Sequence, residues 1–304
     1  MSMFKKTTLA LAISALAGGA LAQSAPAPAP APAPATSPIT ANVTVVNDYR
    51  YRGMTQSNFK PAIQGGFDYA HESGFYIGNW NSSISWISDG YPTGNGLGAP
   101  SSAPVEMDFY AGFKKEIIGS GFASDIGILQ YYYPMSQAPK NTCVASPTNA
   151  ASALLRNACG ASPNTTELYA AQNFTFGPLT GFVKVSYSLS NIFGINESKG
   201  SYYPDLTLNY DTGFAGITLN AHVGYQYVAG TKTVSGVKYD FSYTDYKIGI
   251  TKDFGGGLSG AIAYAGTSQP KVGSSYLWYV PNNNGSQTSS MGKAGGLISL
   301  TKTF

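Results

Sequence analysis

The sequence predicts an all-β chain: an antiparallel transmembrane β-barrel of about twelve strands, with ten to fourteen possible if one hairpin is merged or split. Three observations lead there. From Thr40 onward, apolar and polar residues alternate with a period of two, the repeat of a strand with two unlike faces. The connections between these stretches alternate short and long. Charged residues make up only 11% of the chain, well below the ~25% of ordinary soluble proteins, yet mean hydropathy stays at −0.07. Strands with one apolar and one wet face produce that pairing, and after the first segment no stretch is apolar enough for a spanning helix of ~20 residues.

Residues 1–22 read as a secretory signal peptide. Lys5 and Lys6 form a basic start, Leu9 to Leu16 an apolar core too short to span a bilayer, and Ala20-Leu21-Ala22 a small-x-small cleavage site. Cleavage is expected between Ala22 and Gln23. No cysteine sits directly after that point, which argues against a lipid anchor. Residues 23–39 form an Ala/Pro-rich linker. Within it, Ser24 to Ala35 nearly alternates Ala and Pro and is expected to be extended, rising ~3.1 Å per residue as a spacer or a plain tail. The barrel is assigned to residues 40–304.

The first predicted strand covers 41–53, with Val43, Val45, Tyr49 and Tyr51 facing lipid and Thr44, Asp48, Arg50 and Arg52 facing water. The second, 61–71, sets Ile63, Phe67 and Tyr69 against Gln64 and Asp68. A third follows over 75–87. In the fourth, 105–116, Val105, Met107, Phe109, Ala111 and Phe113 oppose Glu106, Asp108 and Lys114. Strands over 122–133, 166–177, 179–190 and 202–211 come next. In the ninth, 216–228, Ile217, Leu219, Ala221, Val223 and Tyr225 oppose Thr218, Asn220, His222 and Gln226. The last three cover 240–253, 258–267 and 293–304. Connections after even-numbered strands are turn-like, as at Gly177-Pro178 and Gly255-Gly256-Gly257. Those after odd-numbered strands are mostly long, as over 134–165 and 268–292, with 54–60 the shortest of its set. Short periplasmic turns, long outer loops and an even strand number are the wiring of a single-chain membrane barrel, with both termini periplasmic. Tyr131-Tyr132-Tyr133, Tyr202-Tyr203, Tyr225 and Tyr227 are expected to form an interfacial belt at the outer strand ends. Lys302 shares a face with Leu300 and Phe304 and is expected to snorkel.

Cys143 and Cys159 are the only cysteines. In an oxidising compartment they read as a loop disulfide worth roughly 3 kcal/mol; without a nearby histidine, a metal site fits poorly. Removing Lys5 and Lys6 takes the net charge from +3 to +1, which leaves no basic excess for nucleic acid. With the apolar sides outward, the lumen receives Asp48, Arg50, Arg52, Gln64, Asp68, Glu106, Asp108, Lys114, Lys184, Asp205, Asn209, His222, Asp245 and Lys247. Mixed charge in a narrow lumen can orient polar solutes and set ion preference, or the same groups can pair and plug the barrel. Only His71 and His222 could act as a general base, and neither sits in a nucleophile motif. No enzyme activity, cofactor or metal is therefore expected. Adhesion through the long loops is a further alternative.

Asn47-Asp48-Tyr49-Arg50-Tyr51-Arg52-Gly53, Lys60-Pro61-Ala62-Ile63-Gln64-Gly65-Gly66-Phe67-Asp68-Tyr69 and Ser73-Gly74-Phe75-Tyr76-Ile77-Gly78 resemble the TorF-type porins, a proteobacterial family. The likeness continues at Tyr131-Tyr132-Tyr133-Pro134, at Ala221-His222-Val223-Gly224-Tyr225 and in the closing Leu300-Thr301-Lys302-Thr303-Phe304. The Cys143 loop departs from that pattern. The resemblance implies a channel in the bacterial outer membrane, with lipid and small solutes or ions as its partners. Independently of the resemblance, the closing strand ending on the aromatic Phe304 looks like that of a bacterial outer-membrane barrel and is expected to be read by the barrel-assembly machinery.

Overall fold

In the computed structural model, which describes residues 37–90, 103–134, 162–195, 197–234, 237–280 and 289–304, the period-two stretches become twelve long strands. These are β1 (Ile39–Val46), β2 (Ala62–Ala70), β3 (Phe75–Ser83), β4 (Val105–Gly119), β5 (Phe122–Tyr132) and β6 (Thr165–Phe176). They continue as β7 (Leu179–Ser188), β8 (Tyr202–Asp211), β9 (Ile217–Gln226), β10 (Tyr243–Gly255), β11 (Leu258–Thr267) and β12 (Gly295–Thr303). Each pairs antiparallel with the next, and β1 pairs with β12 from Asn42↔Thr303 to Val46↔Ser299, closing the barrel. Ala41 and Phe304 extend the seam, with the Phe304 amide donating to the Ala41 carbonyl at 2.8 Å. Closure leaves no unpaired strand edge, the condition for a sheet in lipid.

The short connections, 71–74, 120–121, 177–178, 212–216 and 256–257, share one end of the barrel with Ile39 and Thr303; this is the turn end. The long connections share the other, the loop end, and carry the five-residue helix Trp86–Gly90 and four short ribbons.

The outer wall is apolar. Ile63, Phe67, Ile77, Phe109, Phe113, Ile126, Val183, Tyr210, Leu219, Ile248 and Ile298 all face outward and exposed, while Gln64, Asp68, Asp108, Asp205 and Asp245 on strands among these are buried inside. A soluble protein would invert this arrangement; lipid satisfies it. On β10, β11 and β12, Ile250, Ile262 and Ile298 stand abreast in register. Ile262→Lys at this mid-height is expected to lower the unfolding free energy by about 2–4 kcal/mol in urea titrations of the vesicle-embedded barrel. Lys302 does bend back: its Nζ donates to the Gly256 carbonyl at a turn, beside the Phe304 ring.

Two expectations need correction. The first strand leaves the wall at Asn47 instead of running to residue 53, so Tyr49 and Tyr51 are buried inside the barrel and never meet lipid. Asn47 ends the strand by occupying its neighbour's ladder: its side chain donates to the Gly296 carbonyl at 3.1 Å and accepts from the Ile298 amide at 2.7 Å. The tyrosine belt is also only half on the outside. Tyr132, Tyr202 and Tyr225 face outward, but Tyr131, Tyr133 and Tyr203 point into the lumen, as strand alternation requires of their odd or even positions. The signal peptide, the Ala/Pro tract before residue 37, and Cys143 with Cys159 lie outside the described residues.

Candidate functional site

Past Asn47 the chain folds into the lumen, and every residue from Asp48 to Asn58 is buried. Asp48 knots this segment: one carboxylate oxygen accepts from the Thr55 hydroxyl at 2.5 Å, the other from Arg50 Nε at 2.5 Å. Pairing of Arg50 with Thr55 and Tyr51 with Met54 makes a hairpin whose two-residue tip is Arg52-Gly53, with φ of 45° and 75°. Two positive φ values define the tight hairpin turn whose twist suits a strand pair; glycine adopts it freely and arginine does not.

Arg52 is held there by the far wall. Its Nη1 and Nη2 donate to the two carboxylate oxygens of Glu167 on β6 at 3.0 and 2.6 Å, and Nη1 also donates to the Gln226 side chain on β9 at 2.6 Å. The guanidinium lies 4.2 Å from the ring centre of Tyr203 and 4.8 Å from that of Tyr51. A planar fork meeting a carboxylate at two points, stacked on aromatic faces, is the strongest arrangement open to this side chain. Arg50 ties the other flank, donating to the carbonyls of Gly53 at 2.9 Å and Lys293 at 3.0 Å.

Around the segment, Tyr49 and Tyr133 both donate to Glu106, at 2.5 and 2.6 Å, and the Tyr51 and Tyr131 hydroxyls are 2.7 Å apart. Trp80 packs edge-on against Tyr49, and Trp86, Ile192, Phe193 and Trp278 join the same apolar cluster nearer the loops. The loop-end half of the lumen is therefore a packed core. Asp108 is wholly buried within it, and among the described residues neither of its carboxylate oxygens has a hydrogen-bond partner.

The turn-end half is hollow. A cavity of about 280 Å³ runs from Tyr49 and Arg52 to Asn42 and Thr303 at the strand ends. Its acids are held against the wall by phenols, and glycines seat those phenols. Tyr110 lies over Gly78 and donates to Asp68; Tyr76 lies over Gly112 and donates to Asp125 at 2.6 Å; Tyr203 lies over Gly224 and donates to Asp245 at 2.8 Å. His222 stands between two acids, its Nε2 3.0 Å from Asp245 and its Nδ1 3.0 Å from the Thr207 hydroxyl. Lys184 Nζ is 3.5 Å from Asp205.

Of the residues proposed from sequence to face the lumen, Asp48, Arg50, Arg52, Gln64, Asp68, Lys184, Asp205, Asn209, His222, Asp245 and Lys247 line this cavity, the first three from the infolded segment and not from the wall. Glu106 and Asp108 belong to the packed half. Lys114 is buried near the turn end, in register with Asp125. His71 is exposed in a turn, bonded to Ser73. Among the described residues, no three His, Cys, Asp or Glu side chains are placed to hold a metal. Sequence reading passed over Glu167 and Asp125, named Gln226 only as a polar-face residue of the ninth strand, and set Tyr49, Tyr51, Tyr131, Tyr133 and Tyr203 at the membrane instead of in the lumen. Glu167 and Asp125 stand at inward positions of their alternating strands, so the period could have identified them.

A family model described as a bacterial protein of unknown function (Gcw_chp) matches residues 30–304, and the chain belongs to that family. No curated protein matches it in sequence. Among solved structures it is similar to the NanC porin (9% identity, 87% of this chain and 98% of that one, TM-score 0.48). It is also similar to an outer membrane channel from Pseudomonas putida F1 (10%, 88% and 96%, 0.47) and to the KdgM porin (7%, 88% and 97%, 0.46).

Proposed function

We propose that this Gcw_chp member is an outer-membrane channel that passes small polar solutes or ions passively through a charge-lined lumen, narrowed at the loop end by the infolded residues 48–58. The observation that carries this reading is the charged cavity enclosed by a closed, lipid-facing barrel and reaching the strand ends at Asn42 and Thr303. The apolar outer wall of the closed barrel and the resemblance to TorF-type porins support the outer membrane, with the turn end periplasmic. We propose no catalytic role: His71 bonds Ser73 in an exposed turn that does not line the cavity, and His222 is tied into the lumen wall by Tyr203, Thr207 and Asp245.

A second reading, a side-chain-plugged barrel of structural or surface-binding role, is favoured by one observation, the packed loop-end half. Single-channel recording of the refolded mature protein in a planar bilayer, with the reversal potential in a salt gradient, separates the two. Small discrete current steps are expected, with a reversal potential that shifts in Asp68→Ala; a folded barrel that never conducts would establish the plug.

A further inference from the structure

We infer that the turn-end cavity binds a small organic anion, a carboxylate carried on a short apolar body, with Lys247 and Lys184 as its charge partners. The inference deepens the channel reading and rests on it only in treating the cavity as part of a solute path.

The cavity has two unlike walls. One side carries an apolar patch, Ala261, Ala263 and Ala265 of β11 with Leu297 of β12, bordered on β12 by the hydroxyls of Ser299, Thr301 and Thr303. On β7 to β10 the cavity is lined by Lys184, Asp205, His222 and Lys247. Lys184 lies in register with Asp205, and His222 with Lys247, so these groups form one polar band around part of the circumference. A molecule filling the space therefore touches hydrocarbon on one side and charge on the other, the usual character of a small-ligand site.

The sign of that charge follows from which groups are already engaged. Asp68 accepts from Tyr110 and Asp125 from Tyr76. Asp245 takes Tyr203 and His222. Asp205 has Lys184 at 3.5 Å, its Oδ2 accepting no hydrogen bond, and His222 Nδ1 at 4.0 Å. Arg50 and Arg52 are also engaged, but the two lysines are less well provided. Lys184 has that one carboxylate contact and the Phe182 ring. Lys247 makes no hydrogen bond or ion pair among the described residues, and Asp245, two positions earlier on the same face, is committed elsewhere. A partly buried ammonium with three donors and no acceptor is the unmet demand of this space, and a carboxylate oxygen is the group that meets it. A bare inorganic anion would leave the alanine wall uncovered; a short alkyl chain covers it.

The test uses butyrate, n-butylammonium and 1-butanol, one apolar body with three head groups, against the refolded full-length mature barrel in detergent, read by saturation-transfer NMR. Butyrate is expected to bind, butylammonium and butanol to bind far more weakly, and Lys247→Gln or Lys184→Gln to weaken butyrate about tenfold while heat-modifiable gel mobility still reports a folded barrel. Butylammonium binding as well as butyrate, or butyrate binding unchanged in Lys247→Gln, would overturn the assignment. Because the readout needs no current, failures separate: a barrel that conducts but does not bind butyrate loses this site alone, whereas one that binds butyrate and never conducts keeps the site and loses the channel.

Discussion

Arg52→Ala is expected to raise single-channel conductance severalfold while leaving the barrel folded. The side chain crosses the lumen to Glu167 and Gln226 and packs on Tyr203, so its removal cuts the link between the infolded segment and the far wall. Removing one partner of a buried ion pair costs about 3–5 kcal/mol, because the remaining charge is stranded. Here that cost has a local escape. The twelve strands are held by their own ladders, and residues 48–58 belong to none of them. Withdrawing the hairpin tip hydrates Glu167 and relieves the unfavourable backbone of residue 52 without breaking a barrel hydrogen bond, so opening competes well with unfolding. Arg50 still binds Asp48 and the Lys293 carbonyl, and Tyr51 still meets Tyr131, so the segment should flicker and not leave. Arg52→Lys, which keeps charge but loses the two-point fork, should give an intermediate conductance. Glu167→Gln should reproduce much of the effect, and the double variant should add little to it. Unchanged conductance in Arg52→Ala would mean that the aromatic layer, and not this latch, closes the loop end.

The barrel was legible because its information is local. Whether a residue faces lipid or lumen is decided by the position of its neighbours two places away, and the turn residues sit beside the strands they join. The infolded segment was not legible for the same reason. Tyr49, Arg50, Tyr51 and Arg52 resume the alternation of Val43, Thr44 and Val45 in the same phase, so the pattern runs on after the chain has left the wall, and only Val46 and Asn47, reversed against it, mark the exit. What stops the strand is Asn47 bonding to Gly296 and Ile298, partners some 250 residues away that no local period can reveal. The Arg52-Gly53 pair was the one nearby sign of a hairpin tip. Charged lumen residues could be read as inward, but not how they pair: Arg52 reaches Glu167 only because its segment crosses the barrel. The tyrosine clusters misled by their proximity in sequence, since adjacent strand residues face opposite ways.

Gly112→Val and Gly127→Val are each expected to destabilise the barrel by about 2–4 kcal/mol, combining overpacking with lost buried hydrogen bonds. These two glycines face each other on β4 and β5, with Tyr76 of β3 in register on one side and Tyr169 of β6 on the other. The two rings lie down over the glycines from opposite directions and their hydroxyls bond to each other above them, so four strands are bridged by one Tyr-Gly-Gly-Tyr row. A Cβ at residue 112 would stand 2.6 Å from Tyr76 Cζ and from the Ile126 carbonyl oxygen, and one at residue 127 would stand 2.7 Å from the Ala111 carbonyl oxygen. The backbone ladder cannot give way, so the ring must rise into the cavity. That breaks the contact between the hydroxyls and takes the Tyr76 donor from Asp125, leaving a buried carboxylate turned toward the lumen. Urea midpoints in vesicles should record the loss of stability. Gly296→Val is the control, because nothing lies within 4 Å of its added Cβ. If the three variants unfold alike, the glycines are not seats for the tyrosines. If only the first two are weakened, the short residues of these inward faces are there to let the phenols lie flat, and the placement of the lumen carboxylates follows from them.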